Sequence, residues 1–135
     1  MRWSLWVILL GVAGFAAFVR LAPSDPARWH VALDFDANTT DAVSASRVFD
    51  GDAARFDALD AIVRAEPRTQ LLAGSAESGH VTYVTRSALW GFPDYVTLQR
   101  TDGQIRVFSR LRFGKADLGV NAARVDRWLE ALGQG

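Results

Sequence analysis

Polar and apolar residues separate along this chain in three distinct rhythms. From Trp3 to Val19 every residue but Ser4 is apolar, and Arg2 and Arg20 bound the run. An uncharged stretch of that length predicts a single helix over Met1 to Leu21, at the short end of what crosses a bilayer. A second rhythm has helical spacing. Phe56, Leu59, Ile62 and Val63 mark one face of a helix from Asp50 to Glu66, with Asp50 or Asp52 available as its cap and Pro67 to end it. Val125, Trp128, Leu129 and Leu132 mark a closing helix, with Asn121 as its expected N-cap and Gly133 as its stop.

The third rhythm has period two. Between Gln104 and Phe113, Ile105, Val107, Ser109, Leu111 and Phe113 point one way, while Gln104, Arg106, Phe108, Arg110 and Arg112 point the other. This is the pattern of a half-buried strand with its aliphatic set toward the core. Thr69 to Ala73, His80 to Ser87 and Asp94 to Arg100 read as further strands, and Val43 to Val48 as one edge strand. Asp102-Gly103 between two alternating runs predicts an antiparallel hairpin. In the strand before it, Val96 and Leu98 join the core, and Tyr95, Thr97 and Gln99 look away from it. Two apolar helix stripes need cover, and one sheet face supplies it. The expected fold is therefore α+β: an N-terminal transmembrane helix, then a two-layer domain of a four-stranded antiparallel meander covered by two helices. The expected divisions are an anchor over 1–21, a linker and docking segment over 22–49, punctuated by Pro23, Pro26 and Asn38, and the domain over 50–135.

Composition narrows the function classes. Net charge is zero, which gives no case for a nucleic-acid partner. There is no cysteine, so disulfides, thiolate zinc sites and thiol catalysis are excluded, while the compartment stays open. The apolar N-terminus reads as a retained anchor. A cleaved signal peptide and a buried soluble helix are the alternatives, and neither a strongly basic start nor a good cleavage site favours cleavage. Arg2 and the amino terminus place the N-terminus in the cytoplasm, whereas Arg20 and Arg28 oppose this. The reading is a single-pass protein of a cytoplasmic (inner) membrane with its domain outside the cytoplasm.

Candidate chemistry is sparse. His30 has no second ligand at metal spacing and reads as a histidine packed beside Trp29. Asp34, Asp36 and Asp41 lack the glycine and glutamate of a calcium loop. No metal or cofactor is expected. Asp57 and Asp60 lie together on one helix and read as a solvated acidic face. Ser87 or Ser109 with His80 and Asp94 can be drawn as a hydrolytic triad, although Ser109 falls on the core face. The richer locus is where the last strand feeds the last helix. There Arg110, Arg112, Asp117, Asn121 and Arg124 gather, offering bidentate donors and the amides of a helix start. The same residues also suit a structural network in which Asp117 pairs with Arg110 or Arg112.

The run from Ser109 to Val125, SRLRFGKADLGVNAARV, resembles the signature of the domain-of-unknown-function 1499 family. Tyr83-Val84-Thr85-Arg86-Ser87 and Gly91-Phe92-Pro93-Asp94 are similar to two further islands of that family. The likeness extends over Glu66 to Leu132 and more loosely over Arg20 to His30. Ala116 stands where the family often has serine. The resemblance implies an uncharacterised, membrane-anchored bacterial protein and brings no activity with it. The function expected is that of a membrane-anchored binding or assembly module. Its ligand set is Arg86, Arg110, Arg112, Asp117, Asn121 and Arg124, and its partner an anionic small molecule, a lipid head-group or a membrane protein. The alternative is a hydrolase-like enzyme using Ser87, His80 and Asp94.

Overall fold

In the computed structural model, which describes residues 2–133, the chain forms an α+β fold with one open, fully antiparallel sheet. Helix α1 (Arg2–Leu21) leads through a short turn, α2 (Pro26–Trp29), into an extended segment. Strands β1 (Thr39–Thr40) and β2 (Ser44–Asp50) precede helix α3 (Ala53–Arg64). Strands β3 (Thr69–Ser75), β4 (His80–Arg86), β5 (Pro93–Thr101) and β6 (Gln104–Leu111) follow, and α4 (Val120–Leu132) closes the chain.

The sheet has six strands in the order β1-β2-β6-β5-β4-β3, which corrects the expectation of four. The expected meander is its β3-to-β6 part. Strand β2 is no edge: it lies between β1 and β6, with Phe49 opposite Ile105 and Ala45 opposite Ser109. This pairing reaches across nearly half the chain, which no local turn signal announces. The sheet thus begins upstream of Asp50, inside the stretch expected to be a linker. The β5–β6 hairpin turns at Asp102 and Gly103, both at positive φ (54° and 76°), as a type I′ turn requires.

Helices α3 and α4 cover one face. Phe56, Leu59 and Val63 of α3 and Val125, Trp128 and Leu129 of α4 pack on Val81, Tyr83, Val96, Leu98, Ile105 and Val107. Both stripes are as expected, and so are Ile105 and Val107 of the last strand. Leu111 and Phe113, expected on the same core face, lie outside the core, and Phe113 falls beyond the end of β6 against Phe18. Asp52 caps α3 by accepting from the Arg55 amide. Asp60, read as part of a solvated face, is instead buried: its carboxylate accepts from the Tyr83 hydroxyl at 2.5 Å and pairs with Arg64 at 3.3 Å. Burial and that carboxylate push the Tyr83 hydroxyl far above its ordinary pKa.

The opposite sheet face is covered too. Residues 22–36 cross it as a strap, so the domain has three layers. Trp29 stacks on Tyr95 with ring centroids 3.8 Å apart and planes 10° from parallel. Trp29, Val31, Leu33 and Phe35 recur at every second position, and their carbonyls each accept from a sheet side chain. The donors are Arg110, His80 Nε2 at 3.0 Å, Gln99 at 3.2 Å and Arg106 Nε at 2.7 Å. Alternate carbonyls of an extended chain face the same way. The strap is thus bound as a strand would be, but through side chains. Gln99 completes the mimicry by also accepting from the Leu33 amide at 2.7 Å.

Helix α1 is the one helix among the described residues long and apolar enough to cross a membrane. Its outer surface is bare, but its last turns dock on the domain. Phe15 meets Phe92, Phe18 meets Phe113, and Val19 is fully buried.

Candidate functional site

The six residues put forward from the sequence fall into three places. Arg110 and Arg112 lie under the strap. Arg110 is 7% exposed and donates to Trp29 O, Thr97 Oγ1 (2.8 Å) and Phe108 O (3.1 Å). Its guanidinium also sits over the rings of Phe108 and Trp29. Among the described residues no carboxylate pairs with it, and burial lowers its pKa from 12.5 to about 10. Arg112 donates to Pro23 O at 2.9 Å and to the Tyr95 hydroxyl at 3.1 Å. The face expected to be open is therefore a binding surface whose occupant is the chain itself.

Asp117, Asn121 and Arg124 form the second group. The Asp117 carboxylate accepts from the Gly119 amide (2.8 Å) and from the amide and side chain of Asn121 (3.3 and 2.8 Å), not from Arg110 or Arg112. Asn121 is no N-cap. Gly119, at φ 81°, holds that position, and the buried Asn121 side chain reaches inward to Ser109 Oγ. Arg124 pairs with Asp94 at 3.3 Å. Burial raises the Asp94 carboxyl above its ordinary range, Arg124 opposes this, and Asp117 adds to it. Asp117, Asn121 and Ser109 serve the joint between β6 and α4, and the Arg124–Asp94 pair ties α4 to the start of β5.

The hydrolytic triad is not assembled. His80 pairs with Gln99 across β4–β5, and Asp94 pairs with Thr85 at the far end of the same ladder, on the order of 16 Å away at ordinary strand rise. Ser87 Oγ accepts from the Phe92 amide and so holds the β4–β5 loop. His80 is instead stacked on His30, with centroids 3.8 Å apart. Burial, then His80 and Arg110, lower the His30 pKa. Among the described residues there is no cluster of metal-capable side chains.

Arg86, the third place, is the sixth residue and has different company. It donates to Val19 O at 3.3 Å and Gly91 O at 2.9 Å, linking the end of α1 to the β4–β5 loop. Arg20 donates to Leu89 O at 2.8 Å, and Arg68 Nε to Arg86 O at 3.0 Å. These three arginines, with Thr69, Gln70 and Ser87, line a groove of about 420 Å³ beside the last turn of α1. Its lining includes no aspartate or glutamate. Backbone carbonyls hold each guanidinium by part of its donor set, which keeps the positive charges together without neutralising them. Sequence reading missed Arg20 and Arg68, since the three arginines are brought together only by the docking of α1 and the β3–β4 pairing. The signal available was Arg20 itself, a charge closing an apolar run.

The sequence profile of a protein family of unknown function, DUF1499, matches residues 19–132. The chain belongs to the DUF1499 family. Among curated proteins no sequence matches this DUF1499 chain. Among solved structures it is similar to a DUF4468 family protein from Bacteroides ovatus ATCC 8483, at 15% identity and a TM-score of 0.36. That alignment covers 65% of this chain and 63% of the other, so the likeness takes in less than two thirds of the DUF4468 protein. The DUF1499 match begins at Val19 and takes in the strap, the sheet and both covering helices.

Proposed function

We propose that this chain is a membrane-tethered binding module that takes an anionic ligand through arginine. The observation that carries the reading is the groove where Arg20, Arg68 and Arg86 meet with no acidic neighbour in the lining. Arginine presents planar, paired donors that fit phosphate and carboxylate oxygens, and a wall free of acidic groups leaves the field positive. Helix α1 is the tether, by length and composition. The domain lies on the extracytoplasmic side of the membrane.

Of the residues put forward from the sequence, Arg86 carries this reading. Arg110, Arg112, Asp117, Asn121 and Arg124 support it from behind by holding the strap and the β6–α4 joint.

The test uses the full chain in detergent micelles, melted with inorganic phosphate, pyrophosphate and citrate at low and high salt. A ligand at one hundred times its dissociation constant adds ~2.7 kcal/mol, which is visible as a melting shift. The expected result is salt-sensitive stabilisation that Arg68→Gln weakens and Arg110→Gln does not abolish. Stabilisation by none of the three anions overturns the reading.

A further inference from the structure

We infer that the groove and the adjoining β4–β5 loop are a bilayer-insertion site, in which the loop enters the acyl layer beside α1 while the arginines take the phosphate of an anionic phospholipid. The inference rests on the anion reading above and names its ligand class.

The geometry of the loop carries it. From Ser87 to Pro93 the loop has no charged residue. Leu89 is 75% exposed and Trp90 40%. Leu89 is tied through its carbonyl to Arg20, but the loop then runs back along the helix. Phe92 packs on Phe15, and Trp90 and Phe92 share an apolar cavity with Gly11, Val12 and Phe15. At ordinary helix rise, Phe15 and Gly11 lie on the order of 8 and 13 Å from Arg20 along the axis.

Helix length then decides where the loop sits. The twenty residues of α1 span about 30 Å, just the thickness of a hydrocarbon core. If the loop stayed in water, the helix from Gly11 onward would stay with it. Arg2 to Leu10 would remain to cross, about 14 Å and half of what is needed. So α1 crosses only if Trp90 and Phe92 go in with it. Arg20 then marks the head-group level, where its charged end can stay wet while its stem lies in the apolar layer. Arg68 and Arg86 are held at that level by their bonds to one another and to Val19 O. The phosphates of the same bilayer are the anions that lie at this height.

The chain has no cysteine, so Leu89→Cys gives a single site for an environment-sensitive fluorophore. The labelled full chain is placed in nanodiscs containing spin-labelled phosphatidylcholine or spin-labelled phosphatidylglycerol in a phosphatidylcholine background. The expected result is strong quenching by chain-labelled lipid, weak quenching by aqueous iodide, and preference for phosphatidylglycerol. Arg68→Gln and Arg20→Gln, with unchanged melting, should each lower that preference by about fivefold, the effect of one cationic side chain at an anionic surface. Quenching by iodide and not by lipid overturns insertion. Insertion without lipid preference, with arginine-dependent stabilisation by inorganic phosphate, overturns the lipid as ligand and leaves the anion reading standing. Loss of both lipid preference and phosphate stabilisation removes the two together.

Discussion

Arg110 donates to the carbonyl of Trp29, joining the last strand to a segment 81 residues earlier. With Arg110 almost fully buried and no carboxylate beside it among the described residues, the guanidinium is satisfied by carbonyls, a threonine hydroxyl and two aromatic faces. Such a charge is kept for its geometry: it has five donors in a fixed fork, and the strap needs several at once.

Replacing it should therefore loosen the strap before the core. Arg110→Met is expected to cost about 2 to 4 kcal/mol, since it orphans buried acceptors as well as removing a charged donor. Arg110→Lys should recover little of this, because an ammonium cannot serve the same forked set. Denaturant unfolding gives the loss, and hydrogen exchange should show the Leu33 amide deprotecting ahead of β5.

Acid should act on the same strap. His30 Nδ1 lies 2.8 Å from Thr82 Oγ1, which is 2.8 Å from Thr97 Oγ1, which accepts from Arg110. Thr97 Oγ1 also donates to Trp29 O at 3.4 Å, so the two hydroxyls link the His30 ring to the Arg110–Trp29 contact. Burial, then His80 stacked on the ring, and then Arg110 disfavour the charged form of His30. The folded-state pKa is thus below the ordinary value near 6.5, so between the two the unfolded chain binds more protons. Stability contributed by neutral His30 is present above that ordinary value and is lost as pH falls through the folded one. His30→Phe should flatten the stability profile in this window; an unchanged slope would assign the acid sensitivity elsewhere.

Beneath the sheet, Asp60 and Tyr83 should prove coupled. Tyr83→Phe is expected to cost about 1 to 2 kcal/mol and Asp60→Ala more, because the latter strands both a buried hydroxyl and the Arg64 partner. In a double-mutant cycle the pair should be less than additive by about 1 kcal/mol. Additive losses would show that the two act independently.

At the β6–α4 joint, Asp117→Ala removes the acceptor for two backbone amides and the Asn121 side chain. A loss of about 1 to 2 kcal/mol is expected, as for other helix caps. Arg124→Ala should cost about 2 kcal/mol by leaving the half-buried Asp94 carboxylate unpaired. Thermal melts of both variants would compare them directly.

These effects show where sequence reading reached and where it stopped. The Ile105-Val107-Ser109 alternation, the Asp102-Gly103 turn and the two helical stripes are local, and each stands in the fold as read. The pairing of β2 with β6 is not local, so Ala45 and Phe49 could not be seen beside their partners. Trp29, Val31, Leu33 and Phe35 fall at every second position inside the stretch read as a linker, and an extended segment bonded by side chains leaves no hairpin signal. That omission hid what covers the arginine face of the sheet. Arg106, Arg110 and Arg112 do share a face, as expected, yet the chain's own strap occupies it. The groove of Arg20, Arg68 and Arg86 arises from three separate segments, and nothing in their spacing foretells it.

The strap also sets how far this module can search. A flexible linker of its length would let the domain sweep a volume above its point of attachment. Here residues 22–36 are sewn to the sheet rung by rung, and the last turns of α1 are clamped by Phe92 and Phe113. The domain has no leash. With α1 as the tether proposed above, its height and tilt are those of the helix, and its search is a sideways drift in the plane of the membrane.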